Sequence, residues 1–342
     1  MKKLLYIYNP MSGQRTIGNQ LSSIVEYFSK NSYFPTVYAT QKANDAREKV
    51  KEFAKDYEEI LVSGGDGTLD EVVSGLLKAK ENSIIGYIPT GSTNDFARSL
   101  KIPSDIKKSS KYAIKGEVME VDVGQFNSKF FTYVAAFGSF AQVSYETDQS
   151  MKNIFGRFAY ILEGVKTVSN LKSYKAKVKI DDEVFEGEFI HFMATNSVSV
   201  GGFNNFYNKN IGLDDGIFEA VLVKKPNGLI ELNQIIDGLR SKKENDNIIF
   251  RSGSVFKVES DEKIDWTLDG DYGGSYKKSE VKVLNRAVKL RTGFSKDSKE
   301  LISNKKINWQ KNIEVVYCKI IWFYYLAKKG YNNRENLGGQ NV

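Results

Sequence analysis

Along the first third of the chain, apolar positions alternate between two rhythms. Short apolar runs at 3–8, 36–39, 60–63 and 84–88 have the length and composition of buried strands. Between them the spacing turns helical: at Leu21, Ile24, Val25 and Phe28, again over about 43–55, and from Leu69 through Val72 and Val73. Strands and helices alternating at this interval predict a parallel, doubly wound sheet. Ligands of such sheets collect beyond the carboxyl ends of the strands. The turns after Tyr8, Val62 and Ile88 all lie at such ends, so three polar, glycine-bearing loops converge on one edge.

Near Glu117 the texture changes. Period-two runs at 118–124, 129–137, 174–180, 184–194, 217–223, 248–259, 264–269 and 280–291 predict strands, interrupted by helix-like stretches at about 155–169 and 228–239. This pattern predicts a mostly antiparallel β-sandwich or open barrel. The expected organisation is an α/β domain at 1–125, a β-rich domain at 126–293, and a C-terminal extension at 294–342. A length of 342 residues accommodates two cores. The active site is expected in the cleft between the domains.

Composition narrows the chemistry. An aromatic content of 13% with 41% hydrophobic residues suits a folded globular chain. The single cysteine, Cys318, excludes an intrachain disulfide and a Cys-rich metal site, and the single histidine, His191, excludes a zinc cluster and a His-based acid/base pair. His191 lies in what reads as a buried strand, where a structural role is expected. The apolar part of Met1–Asn9 is too short for a signal peptide, and no run reaches the roughly 18 apolar residues of a membrane span, so a cytoplasmic protein is expected. The net charge of +7 is uneven: from Phe294 onward nine Lys/Arg face four Asp/Glu, leaving 40 against 38 in the rest. A nearly neutral body gives no basic patch for nucleic acid.

The candidate chemistry centres on Ile60-Leu61-Val62-Ser63-Gly64-Gly65-Asp66-Gly67-Thr68-Leu69-Asp70-Glu71. A strand feeding a helix through glycines lets the backbone approach an anion, and the free N–H groups of the helix start favour phosphate. Asp66 would repel that phosphate unless a cation intervenes, and Mg²⁺, bound by one or two carboxylates plus phosphate oxygens, reconciles the two. A tight turn with a capping aspartate is the plainer alternative. Asn9-Pro10-Met11-Ser12-Gly13 forms a second strand–turn–helix unit beside Arg15, and it is not a Walker A loop because no Gly-Lys-Ser/Thr follows. Gly212-Leu213-Asp214-Asp215-Gly216-Ile217 and Leu268-Asp269-Gly270-Asp271 read, on their residues alone, as turns.

With Gly64-Gly65-Asp66-Gly67-Thr68 followed by Gly91-Ser92-Thr93-Asn94-Asp95-Phe96-Ala97-Arg98, the chain resembles the diacylglycerol kinase catalytic domain, in its soluble bacterial lipid-kinase branch. The resemblance covers about residues 1 to 293. The first motif is shared with NAD kinases; the second singles out lipid kinases. The resemblance implies ATP contacts at Asn9, Ser12, Gly13, Thr40, Gly64, Gly65, Asp66, Gly67, Thr68, Glu71, Ser92 and Asn94. It implies catalytic Mg²⁺ at Asp66, helped by Asp122 through a water-bridged network. It also implies a structural Mg²⁺ held by Asp215 with the backbone of Gly212 and Ile217. Asp271 stands where the family carries a glutamate as general base, with an arm one methylene shorter. A homodimer is implied as well.

The implied activity is transfer of the ATP γ-phosphoryl group to the hydroxyl of diacylglycerol or a related membrane lipid. Two alternatives stand beside it: a kinase for a soluble acceptor such as NAD, and a catalytically silent lipid- or nucleotide-binding regulator. In the extension, Val315–Ala327 is apolar and aromatic-rich and is followed by Lys328 and Lys329. As a helix, about 20 Å long, it is too short to span a bilayer but suits an anchor on an anionic surface. Peripheral association with the inner membrane face is therefore expected.

Overall fold

The computed structural model describes residues 1–13, 15, 17–92, 94–138, 162, 171–196, 199–200, 203–204, 212–241 and 243–294. Met1–Ser295 forms one compact unit. The helix expected at about 155–169, Leu162 apart, and the extension beyond Phe294 lie outside the described residues.

The N-terminal half is doubly wound, and period-two burial shows why. Strands β1 (Lys2–Tyr8), β2 (Tyr33–Ala39), β3 (Glu59–Gly64) and β4 (Ile84–Pro89) are parallel in the order β2-β1-β3-β4. Along β1, Leu5 and Ile7 join one core while Leu4 and Tyr6 join another. On the first face lie α2 (Asp45–Phe53) and α3 (Asp66–Ala79), through Ala46, Val50, Leu69, Val72 and Val73. On the second lie α1 (Ile17–Lys30) and α5 (Ile106–Lys115), through Ile24, Phe28, Ala113 and Ile114. A sheet covered on both faces needs strands that are apolar on both, which is what parallel strands show. The short α4 (Asp95–Ser99) and α5 go beyond the pattern in the sequence. In α5 the inward face carries Ser109 and Ser110, whose hydroxyls both donate to the Ile106 carbonyl, so its buried side does not read as apolar.

The second half is antiparallel. It comprises β5 (Glu117–Phe126), β6 (Lys129–Phe131), β7 (Val134–Gly138), β8 (Tyr174–Ile180), β9 (Glu183–Thr195), β10 (Ser199–Val200), β11 (Phe203–Asn204), β12 (Phe218–Lys224), α6 (Leu229–Ser241), β13 (Ile248–Gly253), β14 (Val255–Leu268) and β15 (Asp271–Thr292). Strand β8 pairs with both β9 and β14, and β7 pairs with the same two strands, closing a small barrel-like ring. Alternation along β8 puts Tyr174, Ala176, Val178 and Ile180 inside, with three lysines outside. The interior is aromatic: Trp266 packs against Phe126, Phe137 and Phe192 at centroid distances of 4.8, 5.1 and 5.7 Å. Helix α6 covers the other face of β9, β12 and β13.

Strand β15 joins the halves. It pairs antiparallel with β14 and β5, then runs parallel beside β4 at Lys289↔Ile84 and Leu290↔Ile85. One 13-stranded sheet therefore runs through both halves. The strands expected at 264–269 and 280–291 are the ends of longer ones. Glycines 273 and 274 and the charged stretch 259–263 break the alternation, but ladder pairing carries the strands past them with bulges.

Candidate functional site

Three loops meet at the carboxyl ends of β1, β3 and β4. The Asn9 amide donates to the Ser63 carbonyl at 2.8 Å, and the Thr90 amide to the Gly64 carbonyl at 2.8 Å. The Asn9 side chain reaches Thr68 Oγ1 at 3.3 Å, and the Thr40 amide donates to the Tyr8 carbonyl at 3.0 Å. Contact is close enough to demand glycine. Gly13 has φ +52°, and a Cβ there would lie 2.1 Å from the Thr90 carbonyl oxygen; at Gly91 it would lie 2.5 Å from Gly65 Cα. Asn94, at φ 51°, closes its own turn by accepting from the Gly91 amide at 2.9 Å and donating to the Gly91 carbonyl at 2.8 Å.

These loops open onto a cavity of about 460 Å³ lined by Asn9, Ser12, Thr40, Gly65, Thr68 and Glu71, among others. Gly67 also lines it, whereas Gly13, Gly64, Asp66, Ser92 and Asn94 lie outside its lining. Glu71 is turned towards α2, where its two oxygens accept from the Asn44 and Ala46 amides at 2.8 and 3.1 Å. It braces the rim formed by Gln41, Lys42 and Ala43.

Asp66 begins α3 and clasps the neighbouring loop, accepting from the Asp95 amide at 3.0 Å and the Phe96 amide at 3.2 Å. Burial pushes its carboxyl up to about 6; Asp95 and Asp269 push the same way, while the two amide donors oppose them. Asp269, at the tip of the β14–β15 hairpin, sits in a nest of donors. It accepts from the Thr132 amide (2.7 Å) and hydroxyl (2.9 Å), the Tyr133 amide (2.9 Å) and the Val134 amide (2.7 Å). Asp271 follows two residues later, exposed, at the start of β15. The Lys129 ammonium donates to the Gly273 carbonyl at 2.7 Å and steadies that hairpin. Asp70, one turn along α3 from Asp66, hydrogen-bonds Asp269 and feels the charge of Asp271. Burial first, then Asp269, raises the Asp70 carboxyl far above the usual range, and burial raises Asp269 as well, against the donors of residues 132–134. The hairpin carrying Asp271 is thus packed on the helix that starts with the phosphate-type loop. Asp70 and Asp269 are additions to the residues the sequence singles out. Their pairing joins α3 to a hairpin far along the chain, so no short stretch of the sequence marks it.

Asp122 and the 212–217 loop form a second constellation. The Asp122 oxygens accept from the Gly216 amide (2.7 Å), the Arg286 amide (2.6 Å) and the Asn285 side chain (2.9 Å), and burial raises its carboxyl despite these donors. Asp215 accepts from the Gly212 and Ile217 amides at 3.0 and 3.2 Å, so these three residues share one turn. Among the described residues, no three His, Cys, Asp or Glu side chains are grouped to hold a metal by themselves. Behind the loop Glu219 is buried with Oε2 unpaired among the described residues, and burial together with Asp215 pushes it up to about 8, a place short of positive charge.

Comparisons with known proteins give the family. The model of the diacylglycerol kinase catalytic domain matches residues 3–126. The chain belongs to the diacylglycerol kinase catalytic-domain family. It is 36% identical over 277 residues to a diacylglycerol kinase of Staphylococcus carnosus (strain TM300), covering 80% of this chain and 90% of that one. With a diacylglycerol kinase of Bacillus subtilis (strain 168) it shares 35% over 277 residues, 80% of this chain and 91% of the other. A crystal structure of a diacylglycerol kinase from Bacillus anthracis str. Sterne superposes with a TM-score of 0.66 at 25% identity, covering 85% of this chain and 97% of that one.

Proposed function

We propose that this chain is a Mg-ATP-dependent lipid kinase that phosphorylates the hydroxyl of diacylglycerol or a related membrane lipid, giving phosphatidic acid or its analogue. The observation that supports the reading most is the contact between α3, which begins at the phosphate-type loop, and the Asp269–Asp271 hairpin, made through Asp70 and Asp269. Phosphoryl transfer asks mainly for positioning and charge neutralisation. Asn9, Ser12, Gly13 and Thr40 hold the nucleotide with Gly64, Gly65, Gly67, Thr68 and Glu71, while Ser92 and Asn94 close over the phosphates. The acceptor hydroxyl oxygen bonds to the γ-phosphorus as the bond to the β–γ bridging oxygen breaks, releasing ADP. Asp271 receives the hydroxyl proton.

Bound Mg²⁺ supplies charge neutralisation for the phosphates, and Asp66, helped by Asp122, is the residue to hold it. A structural Mg²⁺ belongs at Asp215 with the backbone of Gly212 and Ile217. The lipid is met at a membrane surface, with the extension beyond Phe294 as an anchor and a homodimer as the working form; among the described residues no helix is long and apolar enough to cross a membrane.

The test is transfer of labelled γ-phosphate from ATP to diacylglycerol in mixed micelles, with NAD as a parallel acceptor. Labelled phosphatidic acid is expected. Label in NAD, or ATP binding with no transfer to any lipid, would overturn the reading.

A further inference from the structure

One carboxyl group in the site has no place in that chemistry. Asp70 Oδ1 is sealed from solvent and has no hydrogen-bond partner among the described residues, while its side chain bonds Asp269. Two carboxyl groups in contact must share a proton or repel each other. Asp269 already accepts four hydrogen bonds, three from backbone amides that have turned towards it. Those donors are satisfied by an ionised carboxylate, so Asp269 keeps the charge. The charged groups that act most on Asp70 are negative: Asp269 and Asp271 from the hairpin, and Glu71 from its own helix. The 132–134 segment brings only neutral donors, which Asp269 takes. Asp95 on α4 acts on Asp66, raising its carboxyl.

We infer that Asp70 is a positioning residue: as an undissociated acid it donates a hydrogen bond to Asp269 and so holds the hairpin that carries Asp271 over the phosphate-type loop. The link runs from α3 through Asp70 to Asp269, and two residues onward to the base. Its place in catalysis rests on the proposed kinase reading; the tie itself does not. An amide at position 70 copies the shape and supplies the same donor permanently, whereas alanine supplies none.

The experiment compares Asp70→Asn and Asp70→Ala with the wild-type full chain in kinetics, ATP affinity and amide hydrogen exchange over residues 267–274. Asp70→Asn should keep kcat within about threefold, and Asp70→Ala should lose about 10- to 100-fold in kcat, the scale of a misplaced catalytic group. ATP affinity should be unchanged in both. The alkaline fall in wild-type kcat, where Asp70 ionises, should move to higher pH in Asp70→Asn. Exchange at 267–274 should rise in Asp70→Ala alone. Asp70→Asn proving as damaging as Asp70→Ala would show that a charge is needed and overturn the inference, as would wild-type kcat in Asp70→Ala. Equal exchange in all three proteins removes the tie whatever the activity. Unequal exchange without any lipid phosphorylation keeps the tie and sinks the kinase reading instead.

Discussion

His191 and Asp66 show how burial decides what a single ionisable group does. His191 sits in the middle of β9, 5% exposed, and burial lowers its imidazole from 6.5 to about 4. The folded ring binds its proton less readily than the unfolded one, so stability is complete above about pH 6.5 and is lost as the pH falls towards 4. The loss approaches about 3 kcal/mol. His191→Gln should flatten that part of the stability curve in urea titrations at pH 4.5 and 7; an unchanged difference would place the acid sensitivity elsewhere. At Asp66 both oxygens accept backbone amides, so an asparagine presents an NH₂ where an acceptor is needed. Asp66→Asn should abolish turnover and also lower stability by about 1–2 kcal/mol, the value of a lost charge-assisted bond. Near-normal activity at limiting Mg²⁺ would refute the metal role. The lone histidine is legible in the sequence because its apolar neighbours announce a buried strand. Asp70 is not, since Leu69-Asp70-Glu71 reads as the ordinary polar face of an amphipathic helix.

At the scale of elements, the glycine loops are the most legible part of the chain. Each follows a short apolar run whose end the topology places on one edge of the sheet, and the structure knits all three together. The hairpin at 268–271 is less so, because the donors that fix Asp269 come from residues 132–134, far away in sequence. The hairpin is where the base is tested. Asp271→Asn should reduce turnover by about 10² to 10⁴ with little change in ATP affinity, the usual range for a positioned acid/base group. Asp271→Glu restores the family's side chain and should retain substantial activity, unless the added methylene crowds the site. Small and equal effects of both substitutions on kcat would remove Asp271 from catalysis. Helix α5 is the element the pattern hides, for its serines bond their own helix and pack inward.

The two halves of the folded unit are joined by a strand that no local pattern assigns to its place. The C-terminal end of β15 lies beside β4, so the N-terminal sheet contains a piece of the end of the folded unit. Residues 1–126 expressed alone should therefore expose the Ile84–Ile85 edge of β4 and aggregate, while 1–294 should unfold in one denaturant transition. A soluble, cooperatively folded 1–126 fragment would show that β15 is dispensable to that half. Alternation of strands and helices makes the doubly wound sheet legible, and period-two patterning does the same for the antiparallel half. The continuity between them rests on long-range pairing, which leaves no mark in any short window.

That arrangement has a consequence for how the protein is made. Strand β4 leaves the ribosome early, but its neighbour at Lys289 and Leu290 is among the last parts of the fold to be synthesised. At roughly 5–20 residues per second the interval between them is on the order of 10 to 40 seconds. Throughout it the nascent chain carries an open apolar strand edge. The newborn polypeptide is thus a natural client for chaperones, and its yield in the cell should depend on their supply more steeply than the stability of the finished molecule suggests.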